Sequence, residues 1–500
     1  MRREYDVVIV GSGAGGGTVA DRLIPLAKAG AKIAVLEAGP RYDKEYFTQR
    51  EIEMMGMLWF GGAWPTADGS ITLAAGKGVG GSTLMYTGVT FRLPDAVCEK
   101  WAVPGITPED LKPRYDRLGK EINVIEPGED MINDNNRLFK EGCDKLGWPV
   151  EKLHFNLKDC KQMGFCNLGC SVGSRQGTLE VQIPKAEAAG IEVIPNCAVK
   201  KVHDRTVIAE IGPAPAGTGH GPWPEGEVVV KARRIVLSAG SPGSSAILLR
   251  SGFAGRLPAL GRYFTMHPMF TVNGIQPRPI KNYQGFPKTY YTPKFSESQN
   301  HYIETAFYYP FVCTKNLGLW GRDLTETMKQ YTHFMTMIIL NHDPALPSNR
   351  ITVTRKGVPK LQYTLQPESI QSLCHGQAQA TRIFFAAGCE KVIMPCAERR
   401  VFKAGEVPDN KLEEFISAKN YMPVKTVLGS GHPQGGCRMG TDPDYSVTDS
   451  FGQAHGYPWL YVADASLFPE SSHVNPYFTI MALADRIGER LNDTYKEWSR

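Results

Sequence analysis

Val7-Val8-Ile9-Val10-Gly11-Ser12-Gly13-Ala14-Gly15-Gly16 sets a run of apolar, mostly β-branched residues directly against a glycine turn. A short apolar run followed by Gly11, Gly13 and Gly16 at G-x-G-x-x-G spacing reads as a buried strand, a tight turn and the start of a helix. The helix is expected to reach about Ala29, and a second strand over 32–36 ends in Glu37-Ala38-Gly39-Pro40, completing a βαβ unit. In that context the glycines have a physical purpose. Without side chains the backbone can approach a pyrophosphate, while the helix N-terminus offers free N–H groups and the positive end of its dipole. Glu37, about twenty residues beyond Gly16, is placed to accept the hydroxyls of an adenosine ribose. A glycine-rich turn without a ligand is the competing reading, and the complete unit weighs against it. A bound dinucleotide is expected, and the motif alone does not separate NAD from FAD.

Outward from this unit, short β-branched runs at 191–194, 198–202, 228–231 and 235–237 read as strands completing the first sheet and a small meander. The tail returns to βα alternation, with a strand at 460–463 and a helix over 476–491, so the nucleotide-binding domain is built from both ends of the chain. Residues 46–64 read as loop. The middle, 261–427, carries aromatic and Thr-containing runs such as 301–312 and 332–340 and reads as a second domain with an antiparallel sheet. The fold class is therefore α/β, a discontinuous Rossmann-type domain (1–45, 68–95, 175–260 and 428–500) plus an α+β substrate domain (46–67, 96–174 and 261–427).

Composition agrees with an ordinary globular chain: 500 residues, 42% apolar and 21% charged, enough for one large core or two to three smaller ones. The net charge of +5 is small and its Lys and Arg are scattered, which gives no reason to expect a nucleic-acid partner. No run of eighteen apolar residues supports a membrane span, and the passage from Met1 straight into Val7–Val10 shows no export signal. Eleven cysteines, an odd number without a small-secreted-domain pattern, suit a reducing compartment, with the cytoplasm as the default.

Two further segments bear on the ligand. Ala75-Gly76-Lys77-Gly78-Val79-Gly80-Gly81-Ser82-Thr83 is a second glycine loop whose amides could reach a pyrophosphate or a flavin edge. In the tail, Asp464-Ala465 follows a strand, and Asn475-Pro476 fits the N-cap and first position of the last long helix. The positive end of that helix suits the N1/O2 edge of a flavin, which becomes anionic on reduction. Asn475 is a cap, a catalytic group or both.

Together these stretches resemble the glucose-methanol-choline (GMC) flavin oxidoreductases. The resemblance rests on the glycine turn with Glu37, the loop Gly76 to Thr83, Gly240-Ser241-Pro242-Gly243-Ser244-Ser245, Leu260-Gly261-Arg262 with His267-Pro268, Gly431-His432-Pro433-Gln434-Gly435-Gly436-Cys437, and the tail through Asn475-Pro476. In style the motifs are similar to the cholesterol-oxidase and long-chain-alcohol-oxidase members. The resemblance implies FAD, contacted by Gly11, Gly13, Gly16, Glu37, Gly80, Gly81, Ser82, Val199, Asp464, Ala465, Asn475 and Pro476. It also implies hydride transfer from an alcohol carbon to flavin N5, with His432 removing or sharing the hydroxyl proton and Asn475 holding the oxygen in line. His473 is a candidate third member of the site.

Two departures from the family pattern stand out. Tyr86 occupies the position of a usual asparagine beside the flavin, and no histidine precedes His154, so the FAD is expected to be non-covalent.

Cys160-x5-Cys166-x3-Cys170 could supply three thiolates to an iron–sulfur cluster, as a similar segment does in membrane-attached sugar and gluconate dehydrogenases of the family. Buried structural thiols, or a zinc or redox pair, are the alternatives. The expected function is FAD-dependent oxidation of a small-molecule alcohol. One alternative is a sugar or glycoside dehydrogenase feeding an electron-acceptor protein through a cluster; the other is an FAD-containing lyase without net oxidation. The apolar stretch 54–60 reads as a cover for a bulky apolar alcohol, such as a sterol, terpenoid or aryl carbinol, or as ordinary domain packing.

Overall fold

The computed structural model describes residues 1–395 and 400–499. Its first layer is a seven-stranded sheet in the order Glu192–Ile194, Ile33–Leu36, Arg2–Val10, Gly226–Leu237, Thr206–Ile211, Cys197–His203, with Leu460–Val462 also paired to Gly226–Leu237. The four neighbours running from Glu192–Ile194 to Gly226–Leu237 are parallel, as is Leu460–Val462, and the remaining two strands form an antiparallel meander. Val7, Val8 and Ile9 are completely buried, as a parallel sheet covered on both faces requires.

Two local readings change. Runs 228–231 and 235–237 are one strand, Gly226–Leu237, because Lys231 and Arg233 take exposed positions of an unbroken alternation instead of ending it. The helix after the glycine turn stops at Arg22 and a second one runs Ile24–Lys28, since Pro25 lacks the N–H that would continue the first.

Helix Ala14–Arg22 packs against the tail helix Tyr477–Asp493, so the two ends of the chain share one core. The crossing is tight: a Cβ on Gly488 would lie 2.7 Å from Cβ of Arg22. The buried Asp485 carboxylate binds Arg114 at 2.6 Å and Arg22 at 3.3 Å, which brings helix Pro108–Glu121 onto the same face.

The second layer is a ten-stranded sheet centred on Met269–Ile275, Phe334–Asn341 and His301–Thr305, all antiparallel, with the long helix Pro367–Ala386 packed on it. The run 301–312 is a strand only to Thr305; Pro310 opens a helix, Pro310–Leu317. Residues 46–64 hold short helical turns, including Glu51–Met54 and Met55–Met57, where loop was expected. The expected domain limits also move. Ile71–Leu73 and Leu428–Ser430 pair with each other in the second sheet, and Val97, Trp101, Leu111 and Leu118 enter the first core. Among the described residues no helix is long and apolar enough to cross a membrane.

Candidate active site

Ser12 joins the parts of the glycine cradle. Its N–H (3.0 Å) and its hydroxyl (2.7 Å) both donate to Oε2 of Glu37, and its oxygen accepts from the N–H of Gly80 at 3.0 Å. Oε1 of Glu37 accepts from Gly39 N–H at 2.9 Å, and burial pushes this carboxyl above its ordinary range. The two glycine loops lie backbone against backbone, and a Cβ on Gly81 would sit 2.7 Å from Cα of Gly13. Helix Ala14–Arg22 starts at Gly13 with no capping side chain and no acidic residue in its first turn, so its positive end is uncompensated. Such an end, next to glycines and a buried carboxylate, fits the pyrophosphate and ribose of a dinucleotide.

Other expected cofactor contacts fall around this cradle. The Ser82 hydroxyl accepts from Gly76 N–H at 2.9 Å, fixing the second loop. Val199 lies two residues beyond Cys197, whose N–H donates to the Glu37 carbonyl at 2.7 Å, so its strand reaches the Glu37 edge. Both carboxylate oxygens of Asp464 are engaged inside the protein, one by Ser244 Oγ and the other by Ser466 N–H and Oγ. Ala465 and Ser466 carbonyls accept from Gly435 and Cys437 N–H groups, each at 2.9 Å. That pairing brings the loop after Leu428–Ser430, which carries His432, up to the tail that carries Asn475.

The tail helix begins at Tyr477 with Pro476 as its N-cap residue, and the Pro476 carbonyl accepts the first helical bond from Ile480 N–H at 2.9 Å. Asn475 therefore lies outside the helix and does not cap it, contrary to the sequence expectation. Pro476 already has the helix-compatible φ, which moves the cap one residue on. The Asn475 amide is spent on the site: Nδ2 stands 3.3 Å from His432 Nε2, and Oδ1 is 3.3 Å from the hydroxyl of Tyr302.

Behind His432 the contacts continue. His432 Nδ1 is 3.0 Å from Nδ1 of His267, and His267 Nε2 is 3.0 Å from Ser471 Oγ and 3.1 Å from Gln434 Nε2. Sequence reasoning quoted His267-Pro268 and Gln434 within the resembling motifs but gave them no role, and it missed Tyr302 and Ser471. A one-letter pattern does not show that positions 165 residues apart share a hydrogen bond.

His473 joins a different group. Its backbone is left-handed (φ 57°) and its ring packs on His342, with centroids 4.5 Å apart. Tyr86 meets the start of the tail helix, its ring 4.9 Å edge-on from Tyr477 and its hydroxyl accepting from Asn156 Nδ2.

Burial dominates the electrostatics. It pulls His432 down to about 3, helped by the positive charge of Lys288, which is itself paired with the buried Glu304. It also holds His267 well below the usual imidazole range, with the neighbouring histidines adding to the effect, and takes His301 to about 3 and His473 to about 4. A histidine whose folded pKa is depressed binds fewer protons folded than unfolded between that pKa and about 6.5, so stability rises with pH across this window. Thermal unfolding followed by circular dichroism is expected to give a Tm that falls steadily from pH 6.5 toward pH 4 and is level just above pH 7. A Tm independent of pH between 4 and 6.5 would contradict buried neutral histidines.

The cysteine segment does not fit a cluster. Burial raises Cys160 and pushes Cys166 up to about 12. Among the described residues no group of three or more His, Cys, Asp or Glu side chains is disposed to hold a metal ion. Arg175, almost fully buried, donates to the carbonyls of Tyr86, Leu84 and Cys166 and so pins this segment to the second glycine loop. Met54 and Met57 are buried with Tyr42, Phe47, Leu168 and Phe307, and the Trp59 and Lys77 amides exchange bonds between 54–60 and the glycine loop. That stretch is thereby held against the start of the second glycine loop.

Residues 54–269 and 346–484 match the N-terminal and C-terminal models described as GMC oxidoreductase. A long-chain-alcohol oxidase of Arabidopsis thaliana is 28% identical over 99% of this chain and 70% of its own length. A cholesterol oxidase of Mycobacterium tuberculosis is 23% identical over 97% of this chain and 91% of its own. Among solved structures, a formate oxidase of Aspergillus oryzae superposes with a TM-score of 0.73 at 14% identity, covering 99% of both chains.

Proposed function

Because the chain belongs to the GMC oxidoreductase family, we propose that it is an FAD-dependent enzyme that oxidises an alcohol CH–OH to a carbonyl. The observation that carries this reading is the convergence of His432 Nε2 and the Asn475 amide, 3.3 Å apart, on residues flanking the N-terminus of the tail helix. The glycine cradle with Glu37, Gly80 and Gly81 would hold the FAD, which supplies a two-electron hydride acceptor when bound.

An alcohol oxygen placed between the two side chains receives a hydrogen bond from Asn475 and gives its proton to His432. Burial serves this step by keeping the imidazole neutral at working pH, with a lone pair to offer. Tyr302 holds the outer side of Asn475 and so fixes the amide in place.

Tyr302 belongs to a packed aromatic cluster. Phe91 lies 5.2 Å from Tyr291 and 6.2 Å from Tyr302, and the two tyrosines are 5.9 Å apart. Rings in this arrangement suit an apolar carbinol, aliphatic or aryl, better than a polyhydroxylated sugar. The long-chain-alcohol oxidase relative supports the same class.

Anaerobic addition of long-chain, sterol and aryl alcohols is expected to bleach the flavin absorbance of the purified protein, with stoichiometric carbonyl product. A flavin that no alcohol bleaches would remove the reading and leave a non-redox use of the cofactor. The iron content is expected to be negligible.

A further inference from the structure

Two groups, the imidazole of His267 and the hydroxyl of Ser471, continue from His432 away from its reacting nitrogen, and they end at a cavity. His432 Nδ1, His267 Nδ1, His267 Nε2 and Ser471 Oγ form an unbroken line with two links of 3.0 Å each. Ser471 lines a polar cavity of about 330 Å³, with Lys100, His342, Glu368, Glu470 and His473 on its walls. Both ring nitrogens of His342 are buried there without a protein partner. A cavity of this size and polarity holds several waters, which satisfy such groups.

We propose that this line is a proton relay: the proton taken from the substrate hydroxyl at His432 leaves through His267 and Ser471 into water in the cavity. The proposal rests on the alcohol-oxidation reading. In the loaded order the Nε2 of His432 is bare, its Nδ1–H donates to His267 Nδ1, and His267 Nε2–H donates to Ser471 Oγ. When a proton arrives at His432 Nε2, the Nδ1 proton passes to His267, the Nε2 proton of His267 passes to Ser471, and Ser471 releases its own proton to a cavity water. One proton enters and one leaves, and no charge remains on either ring. The same moves in reverse restore the loaded order when a two-electron acceptor, dioxygen or an oxidant of that kind, takes the electrons together with the proton at His432 Nε2.

Two features favour this use over a static hydrogen-bonded pair. First, the depressed proton affinity of both rings means that an imidazolium is not a resting place for the proton. Second, the partners of His267 Nε2 favour the state after transfer over the loaded one, in which its N–H faces the N–H₂ donor of Gln434. As N–H it donates to Ser471; once bare it accepts from Gln434 Nε2 at 3.1 Å. The orientation of the Gln434 amide is set by the backbone, since its oxygen accepts from Ser472 N–H at 2.8 Å and its nitrogen donates to the His432 carbonyl at 3.3 Å. Gln434 is thus a positioning residue that accommodates the departed proton.

The test uses Ser471→Ala and the hydroxyl-retaining Ser471→Thr in the holoenzyme. In weakly buffered anaerobic solution with a pH indicator dye, the wild type is expected to release one proton in step with flavin bleaching. In Ser471→Ala the release lags bleaching, or both slow together, by about tenfold or more, and Ser471→Thr restores the wild-type behaviour. A second arm needs no substrate. With 15N-labelled histidine, Ser471→Ala removes the acceptor at His267 Nε2 and is expected to move His267 toward its Nδ1–H tautomer and His432, through the shared bond, toward Nε2–H. Proton release in Ser471→Ala that keeps pace with bleaching at the wild-type rate, or a His432 tautomer that ignores the change at Ser471, would overturn the relay. Failure of every alcohol to bleach the flavin would count against the proposed function instead, and the paired tautomer response would still decide the relay.

Discussion

Replacement of His432 by alanine is expected to leave FAD bound and to slow flavin reduction by an alcohol by about 10²–10⁴-fold, the usual contribution of a positioned acid–base group. The side chain forms its hydrogen bonds with Asn475 and His267, outside the glycine cradle. Its loss therefore removes the proton acceptor and one of the two groups that orient the substrate oxygen, and leaves the dinucleotide site intact. Stopped-flow absorbance under anaerobic conditions measures this directly, with the bound flavin quantified from the same spectrum. Reduction at the wild-type rate would show that the proton is taken by another group. Loss of the flavin itself would show that His432 supports the fold.

The second large effect separates two meanings of glycine in one motif. A Cβ on Gly16 would lie 1.9 Å from the Gly11 carbonyl oxygen, and one on Gly15 would lie 1.7 Å from that of Ala463. Neither backbone can retreat, because both belong to or abut the central parallel strands. Gly16→Ala is therefore expected to cost about 3 kcal/mol or more and to yield little folded protein.

At Gly13 the nearest protein atom to an added Cβ is 3.6 Å away, and the backbone φ of −67° suits any residue. Here the missing side chain serves the ligand. Gly13→Ala is expected to fold with a Tm close to the wild-type apoprotein and to lose FAD affinity by tenfold or more, since the methyl occupies the space of the pyrophosphate. Isothermal titration of apoprotein with FAD, beside thermal unfolding of both variants, tells the two apart. Unchanged FAD affinity in Gly13→Ala would move the dinucleotide away from this turn.

The first sheet could be read from the sequence because its evidence is local. An apolar strand, a glycine turn and a charged residue at the end of the next strand lie within thirty-odd residues, and each obeys a periodicity that a short window captures. The single strand Gly226–Leu237 was split in the reading at Arg233 and Arg234, whose exposure depends on neighbours supplied by other segments. The second sheet was legible as a class but not in its limits. Its strands Ile71–Leu73 and Leu428–Ser430 are three residues each and acquire meaning only through a pairing across the chain.

The site divides the same way. His432 and Asn475 were visible in motifs. The cap role given to Asn475 was a fair local reading, and it failed because Pro476 took the cap position and left the amide to His432. Ser471 carries no local mark, and the motif that holds His267 does not show its role, since both roles come from bonds spanning 165 and 204 positions.

Strand Leu460–Val462 and helix Tyr477–Asp493 complete a sheet and a core begun by Arg2–Val10 and Ala14–Arg22. On a ribosome adding roughly 5–20 residues per second, the glycine turn waits for about half a minute or more before its last structural neighbours exist. During that time the N-terminal strands present unpaired apolar surface, and the cradle has no floor on which a dinucleotide could rest. The dinucleotide cradle is thus completed only after Leu460–Val462 and Tyr477–Asp493 have been made. A nascent chain of this kind is expected to need shelter for that apolar surface until both of these late elements have been made.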